Sequence, residues 1–583
     1  MMKRLTDFCK DFLKSVHHGG DHETAGSPVS FSSIRPRAAL SPMRSKIVLG
    51  LLFAGFIALG IRALWLQVLS TDFLQKQGEN RYARRLEMPA IRGRILDRNG
   101  KVLASSMQVK AIWAIPEDAA NAPKEKLHQL AGLLEMPEDT LIAKLNSEKS
   151  FVYLKRQVDL ETADKIKALE IPGIQQKKEY KRYYPEGEVM AHVVGFTNIE
   201  DKGQEGIELA SQDLLAGENG SRRVVKDRLG NIVDDLQETK DPVDGQDLVL
   251  SIDSQLQYIA YKCLKEAIAE HQAKAGSVVV LDTRTGEVLA MVNMPDFNPN
   301  NRKGLTGAQL RNRVMTDAFE PGSIMKPFAV AMGLDRGKVT PNTMISTNGG
   351  KMTIGTATIG DSHAHGTLSV NQIIEKSSNI GTAKIALMFP PQEMWEMLSS
   401  VGFGQQPQFG FPGATPGRLR PYKSWVPVEQ ATMSYGHGVS VSLFQIARAY
   451  MIFARNGDMI PLTFMKRDEA PEGQQIISPK TAEQMRHMLE LVVGPGGTAK
   501  LAHVPGYRVG GKTGTAYKIE HGRYVKKYVG SFVGLAPISD PKVVIAVMID
   551  EPIAGHFGGT VAAPVFSKLA AEIMRAMNIP PDA

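Results

Sequence analysis

Between Ile47 and Leu69 the chain reads IVLGLLFAGFIALGIRALWLQVL, and its first fifteen residues carry no charge. As a helix this run spans about 34 Å, enough to cross a bilayer. The residues before it are small and polar, as in TAGSPVSFSSIRPRAALSP, and predict a largely disordered tail over residues 1–46. A cleaved signal peptide is the nearest alternative, because Ala58-Leu59-Gly60 offers a small-x-small site. The apolar run continues through Trp65 and Leu69, however, which favours an uncleaved anchor over residues 47–69. Arg62 and Gln67 fall at its outer end, where snorkelling or contact with another membrane helix accommodates them.

After the anchor the patterning changes twice. Residues 70–242 mix short strand-like runs with polar helices, and DRNG within IRGRILDRNGKVLASS predicts a turn between two short strands. This stretch reads as an irregular, partly extended module, ending at the turn-rich DPVDGQD segment. Residues 243–583 begin with DLVLSID and a helix that contains Cys263. The segment AGSVVVLDTRTGEVLAMVNMP then predicts a hairpin, followed by helices and loops from Gln309 to Leu501. Three closely spaced strand candidates (YRVGGKTGTAYKI, YVGSFVGLAPI, KVVIAVMIDEP) precede a last helix, APVFSKLAAEIMRAMN. Strand pair, helical block, three strands and helix predict an antiparallel sheet with helices packed against it, an α+β domain.

Composition adds location. The 583 residues carry a net charge of +8, and residues 1–46 hold half of it. A basic flank before an apolar span predicts a cytoplasmic N-terminus, with everything after Leu69 exported. The remaining charge is spread out with no basic-aromatic stripe, so no nucleic-acid partner is expected. On this topology Cys9 and Cys263 lie on opposite sides of the membrane, and no disulfide is expected.

Candidate chemistry begins at Ser323 and Lys326 in EPGSIMKPF. If Ser323 opens a helix, with Pro327 tolerated in the first turn, the i,i+3 spacing puts hydroxyl and amine on one face. A serine attacks only if a base takes its proton, and a lysine is a base only when desolvation or a nearby cation holds it neutral. Alone, S-x-x-K is uninformative, since it recurs at Ser539–Lys542. Two further motifs follow: Ser377 and Asn379 in EKSSNIGTAKIA, and Lys512, Thr513, Gly514 and Thr515 in GGKTGTA. S-x-N also recurs, at Ser346–Asn348. Gly514 would let a substrate backbone approach closely, and Lys512 offers a cation for a carboxylate. Gly506 to Thr513 satisfies the phosphate-loop spacing as well, but the sequence after Lys512 is strand-like, so that reading fails. The two histidines of DSHAH, His363 and His365, lack a partner set for a metal.

S-x-x-K, S-x-N and K-T-G in that order form the signature of serine acyl-transferases that include penicillin-binding proteins and β-lactamases. With RGRILDRNG, GQEGIELA, MSYGHGVSVSLFQIARAY and FGGTVAAPVF, the chain resembles the class B penicillin-binding proteins of the FtsI type, peptidoglycan D,D-transpeptidases of cell division. The resemblance implies a non-catalytic, dimerisation-type pedestal over residues 70–242 and a transpeptidase domain of the penicillin-binding/serine β-lactamase-like fold over residues 243–583. It also implies roles. Ser323 is the nucleophile and Lys326 the base, with Lys512 keeping it neutral. Ser377 relays a proton to the leaving amine, and Asn379 orients Lys326 and the substrate amide. Lys512, Thr513 and Thr515 hold the terminal carboxylate, and the backbone N–H groups of Ser323 and Thr515 form the oxyanion hole. Implied partners are D-Ala-D-Ala stem peptides with an amine acceptor, β-lactams, an FtsW-type glycosyltransferase and other divisome membrane proteins. The implied location is the bacterial inner membrane at the septum, with the catalytic domain periplasmic. No cofactor or metal is expected.

KSSNIG and MNIPPDA favour the division enzyme over an elongation-type transpeptidase, and a D,D-carboxypeptidase is the further alternative. No E-x-x-L-N segment supplies a deacylating glutamate, which argues against a β-lactamase. No glycosyltransferase-sized module precedes residue 242. The 46-residue tail is too short for the signalling module of a penicillin-sensing receptor, and a divisome scaffold that keeps the fold for binding alone is the other alternative. The role of His437 in YGHG stays open.

Overall fold

The computed structural model describes residues 42–66, 83–226 and 232–583. The tail over residues 1–41 with Cys9, and the end of the anchor from Gln67 to Leu69, lie outside the described residues. The chain divides into two units at Ala83 and Arg84. In the first, helix α1 runs over Pro42–Leu64, starting five residues before the apolar run. Its Lys46–Leu64 stretch has a mean hydropathy of 2.3 with no residue buried. It is, among the described residues, the one helix long and apolar enough to cross a membrane. The Arg62 guanidinium lies 4.8 Å from the Trp65 ring centre, a cation–π contact that partly offsets its charge.

The second unit begins with a sheet built from β1 (Ile95–Leu96), β2 (Val102–Ala114), β3 (Val152–Val158) and β4 (Ile174–Tyr183). DRNG is indeed the turn between β1 and β2, although β2 is a long strand that pairs with β3, β4 and β1. Helices α2 (Lys124–Leu133), α3 (Glu138–Leu145) and α4 (Leu160–Ala168) bury Leu130, Leu141 and Ile166 against it. The result is a lobe with its own apolar core, more regular than its sequence suggests. A second difference concerns the boundary: β5 (Leu248–Val249) lies beyond Pro242 yet pairs in parallel with β1. Ile95, Leu103, Val193 and Ile207 also share one continuous core with the catalytic sheet. Burial thus joins the base of the pedestal to the catalytic domain. The DRNG turn closes the joint: Asp97 accepts a 2.7 Å hydrogen bond from the Ser254 hydroxyl, and Arg98 pairs with Glu287 at 3.2 Å.

Helix α5 (Ser254–Glu270) starts where the Asp253 carboxylate accepts the N–H groups of Gln255 and Leu256. The predicted hairpin follows as β6 (Ala275–Asp282) and β7 (Val288–Met294), whose register pairs Val292 with Val278. Then come α6 (Lys326–Asp335), α7 (Asn379–Ala386), α8 (Leu443–Ala454) and α9 (Pro479–Val493). Short hairpins interrupt this helical block in place of the expected loops, such as Lys351–Ile354 against Ala357–Gly360. The three strand candidates become β8 (Gly510–Glu520), β9 (Arg523–Ala536) and β10 (Val543–Asp550). The sheet order is β7-β6-β10-β9-β8, antiparallel throughout, with β8 at the edge. All of β6, β7 and β10 is buried or nearly so, as expected for strands covered on both faces. The last helix, α10 (Ala563–Ala576), places Phe566 against Phe532 of β9, ring centres 4.8 Å apart.

Candidate active site

Ser323 does not open an α-helix. Residues Gly322–Met325 form a single 3₁₀ turn, and α6 begins at Lys326. Three residues per turn stack positions i and i+3 directly, so the spacing still brings Ser323 and Lys326 to one side. The turn is held from three directions. The buried Tyr450 of α8 donates a 2.8 Å hydrogen bond to the Ile324 carbonyl. The Gly322 N–H donates to the Gly436 carbonyl at 3.2 Å. Gly322 has φ near +60°, and a Cβ there would lie 3.0 Å from the Thr515 carbonyl oxygen, so the nucleophile turn abuts β8.

Gly514 is the matching feature on the strand. A Cβ at this position would lie 2.8 Å from the Pro321 carbonyl oxygen, 2.8 Å from Ile324 Cγ1 and 2.5 Å from Ser531 Oγ. The turn that carries Ser323 therefore closes directly on Gly514. Gly514→Ala is expected to push the turn aside. A displacement of about 1 Å at reacting atoms costs about 10²-fold, so acylation by a fluorescent penicillin, followed by stopped flow, should slow by that order. An unchanged rate would refute the contact's importance.

Lys326 is 1% exposed. Its Nζ donates to the Ser377 carbonyl at 2.5 Å and to Ser377 Oγ at 3.0 Å. Ser377 sits at φ near +60°, a left-handed conformation that costs a non-glycine residue roughly 1–2 kcal/mol. That geometry turns its carbonyl to the amine. Burial holds the Lys326 amine well below its ordinary pKa and the nearby Lys512 charge pushes the same way, while Asp361 opposes them. A neutral amine has two N–H bonds and one lone pair. With both N–H bonds directed at Ser377, the lone pair remains to accept a proton.

Lys512 is itself fully buried, and burial brings its pKa down to about 7. Its Nζ lies 3.3 Å from Thr513 Oγ1. Thr513 Oγ1 is 3.1 Å from Thr498 Oγ1, and Thr515 Oγ1 accepts the Gly558 N–H at 3.0 Å, leaving the Thr515 O–H to donate elsewhere. Asn379 also departs from expectation. Its side-chain amide donates to the Gly360 carbonyl at 2.7 Å, and the hydrogen bonds of Lys326 go to Ser377 instead.

Several contributors carried no sequence signal. Asp361 accepts the Ser378 hydroxyl at 2.7 Å and the Ile380 N–H at 3.0 Å, fixing the start of α7 behind Ser377. It neighbours the histidines of DSHAH, of which His363 is exposed. Glu320, three residues before Ser323, accepts the Gly438 N–H at 2.8 Å and the Tyr524 hydroxyl at 2.9 Å. His437 follows the Gly436 contact. Its Nδ1 is buried without a hydrogen-bond partner, and burial and the Lys326 charge lower its pKa against the pull of Glu320. Among the described residues no group of three or more His, Cys, Asp or Glu could hold a metal ion.

A serine on a rigid turn, a desolvated lysine one turn on, and an edge strand beside them define a serine acyl-transferase. The Penicillin binding protein transpeptidase domain family matches residues 276–571, and the Penicillin-binding Protein dimerisation domain family matches residues 87–250. The chain belongs to the penicillin-binding proteins, with a transpeptidase domain behind a dimerisation domain. It is 44% identical over 541 residues to the "Probable peptidoglycan D,D-transpeptidase PenA" of Neisseria meningitidis, covering 92% of each chain. It is 40% identical over 530 residues to the "Peptidoglycan D,D-transpeptidase FtsI" of Escherichia coli, covering 90% of each. Among solved structures, the transpeptidase domain of Burkholderia pseudomallei penicillin-binding protein 3 matches with a TM-score of 0.54 at 52% identity, covering 57% of this chain and 98% of that one. A peptidoglycan synthetase from Bifidobacterium adolescentis matches with a TM-score of 0.70 at 25% identity, covering 86% of this chain and 98% of that one.

Proposed function

We propose that this protein cross-links peptidoglycan stem peptides at the division septum, as a D,D-transpeptidase that β-lactams acylate at Ser323. The observation that carries the reading is the state of Lys326: buried, depressed in pKa, and hydrogen-bonded twice to Ser377. Lys326 Nζ takes the Ser323 proton as Oγ attacks the carbonyl carbon of the penultimate D-Ala. The carbonyl π electrons move onto oxygen, which the Ser323 and Thr515 N–H groups stabilise; one such donor contributes about 3–4 kcal/mol. The C–N bond then breaks, and the departing D-Ala amine receives a proton through Ser377. An acceptor amine attacks the resulting ester: a new C–N bond forms, the C–Oγ bond breaks, and the proton the amine gives up returns to Oγ through Lys326. The terminal carboxylate is held by the Thr513 and Thr515 hydroxyls with Lys512 behind them, while the donor backbone pairs with edge strand β8. Asn379 shapes the site through Gly360. Residues 1–46 are the cytoplasmic tail, 47–69 the membrane anchor, 70–242 the pedestal and 243–583 the catalytic domain, which faces the periplasm. An FtsW-type glycosyltransferase and other divisome membrane proteins are the partners.

The test is intact-mass analysis of the full chain after exposure to benzylpenicillin, with peptide mapping. One penicilloyl adduct on Ser323 is expected, and its absence would end the proposal. Transpeptidation is separated from carboxypeptidation by assaying cross-linked product with an amine acceptor present.

The lysine pair sets a pH dependence with a definite sign. Protonation of Lys326 removes the base, so acylation falls as pH drops through its folded pKa. Lys512 lowers that pKa by repulsion. Lys512→Gln removes the repulsion, so the Lys326 pKa rises and the acid limb of the acylation profile moves to higher pH. A limb that stays in place or moves to lower pH would show that Lys512 does not tune Lys326.

A further inference from the structure

The edge strand does not end at the K-T-G motif. Beyond Thr515, β8 continues through Ala516 to Glu520 and returns in β9 from Arg523. The third strand, β10, pairs with β9 only from Val529 onward. The tip of the β8–β9 hairpin therefore projects past the sheet as a two-stranded arm. Large apolar side chains on it are uncovered: Tyr517 is 48%, Ile519 51% and Tyr524 54% exposed. The Tyr517 ring lies 6.4 Å from Tyr524 and 4.9 Å from Tyr528, and Tyr524 lies 6.4 Å from His437. The arm is tied to the nucleophile segment by the Tyr524 hydroxyl, which donates to Glu320 at 2.9 Å. It is stiffened by Lys518 on Asp550 at 2.8 Å and Lys527 on Glu520 at 2.7 Å.

Strand polarity says what lies along this arm. With the donor's terminal carboxylate at Lys512–Thr513 and its scissile carbonyl at Thr515, the donor runs antiparallel to β8. Each residue further from the scissile bond advances about 3.4 Å toward the hairpin tip. The donor residues that precede D-Ala-D-Ala thus pass Tyr517 and Ile519, and the sugar that carries the stem arrives near Tyr524. Exposed tyrosines, apolar on their faces and polar at their tips, suit a ligand that is part hydrocarbon and part wet.

We propose that Tyr517, Ile519 and Tyr524 form a specificity surface for the sugar-proximal part of the donor stem and its muramyl sugar. The arm then selects glycan-borne donors over free short peptides. This rests on the transpeptidase reading above and assigns a further binding surface to the same site.

The test uses the full-length protein in detergent and three probes: a lipid-free glycan-pentapeptide polymer, N-acetyl-D-Ala-D-Ala, which has no residue before the scissile pair, and 6-aminopenicillanic acid, which lacks an acyl side chain. In Tyr524→Ala and Tyr517→Ala, use of the polymer donor should fall at least tenfold. Turnover of the short peptide and acylation by 6-aminopenicillanic acid should stay within twofold in Tyr517→Ala. Tyr524→Phe, which loses the Glu320 bond but keeps the ring, should retain polymer use. The proposal is overturned if polymer and short donors fall together in Tyr517→Ala, if neither falls, or if Tyr524→Phe loses as much as Tyr524→Ala. Wild-type protein that neither takes up the β-lactam nor cross-links any donor would instead overturn the transpeptidase reading itself.

Discussion

Ser323→Ala is expected to abolish covalent capture of penicillin and to lower cross-linking by about four to six orders of magnitude, the range seen when a hydrolase loses its nucleophile. Fold stability should barely change. Ser323 is half-buried on a turn whose anchors are other residues: the Tyr450 hydroxyl on the Ile324 carbonyl, the Gly322 N–H on Gly436, and the ring of Phe328, which packs 5.6 Å from Tyr450. None of these is touched by removing one hydroxyl. The measurement is paired: intact mass with benzylpenicillin, and thermal unfolding of the same preparation. An adduct that persists at another residue would remove Ser323 from its assigned role. Loss of the adduct together with a large fall in melting temperature would show that the hydroxyl is structural instead.

Glu208→Gln is expected to produce the largest change in stability. The Glu208 carboxylate is fully buried and accepts hydrogen bonds from Arg92 Nε and Arg182 Nε, each at 2.6 Å. Both guanidiniums are about 1% exposed. Arg92 also donates to the Glu208 carbonyl at 2.7 Å, and Arg182 to the Gly93 carbonyl at 2.7 Å. Two buried cations share one anion, with Asp201 near them carrying a carboxyl that burial raises to about 6. Glutamine keeps the shape and removes the charge, leaving two guanidiniums without their counter-ion. Breaking a buried pair in this way costs about 3–5 kcal/mol. Because Ile95, Leu103 and Ile207 share the catalytic core, the loss should appear in chemical denaturation of the whole second unit. Protein that remains folded should still be acylated at the wild-type rate, since Ser323 and Lys326 have their own supports. A denaturation midpoint equal to wild type would show that the network is solvated or redundant.

The charge network shows why motifs are easier to see than to interpret. RGRILDRNG and GQEGIELA stand out as family segments, but nothing in either string says that Arg92 and Glu208, 116 positions apart, meet in a dry interior. The same holds at the catalytic site. Ser323 and Lys326 are three residues apart, so local geometry alone brings them together, whether the turn is α or 3₁₀. Lys326 and Ser377 are 51 positions apart, and their hydrogen bonds depend on how α6 and α7 pack. Asn379 depends on packing in the same way. Its motif fixes its place on α7 but not which way its amide points, and Gly360, brought in by a short hairpin, claims it.

What the amino-acid sequence determined by itself was whatever depends on short-range physics. An uncharged apolar run dictates a helix able to span a bilayer. Alternating and continuous apolar runs dictate the strands of an antiparallel sheet, and three ordered motifs dictate the class of chemistry. Only the tertiary structure decided the rest: that Lys326 and Lys512 are dry and therefore depressed in pKa, that Gly514 makes room for the nucleophile turn, that the pedestal and catalytic domain share one core, and that the edge strand extends into an exposed arm. Each of those depends on burial, and burial is a property of residues far apart in sequence that exclude water together.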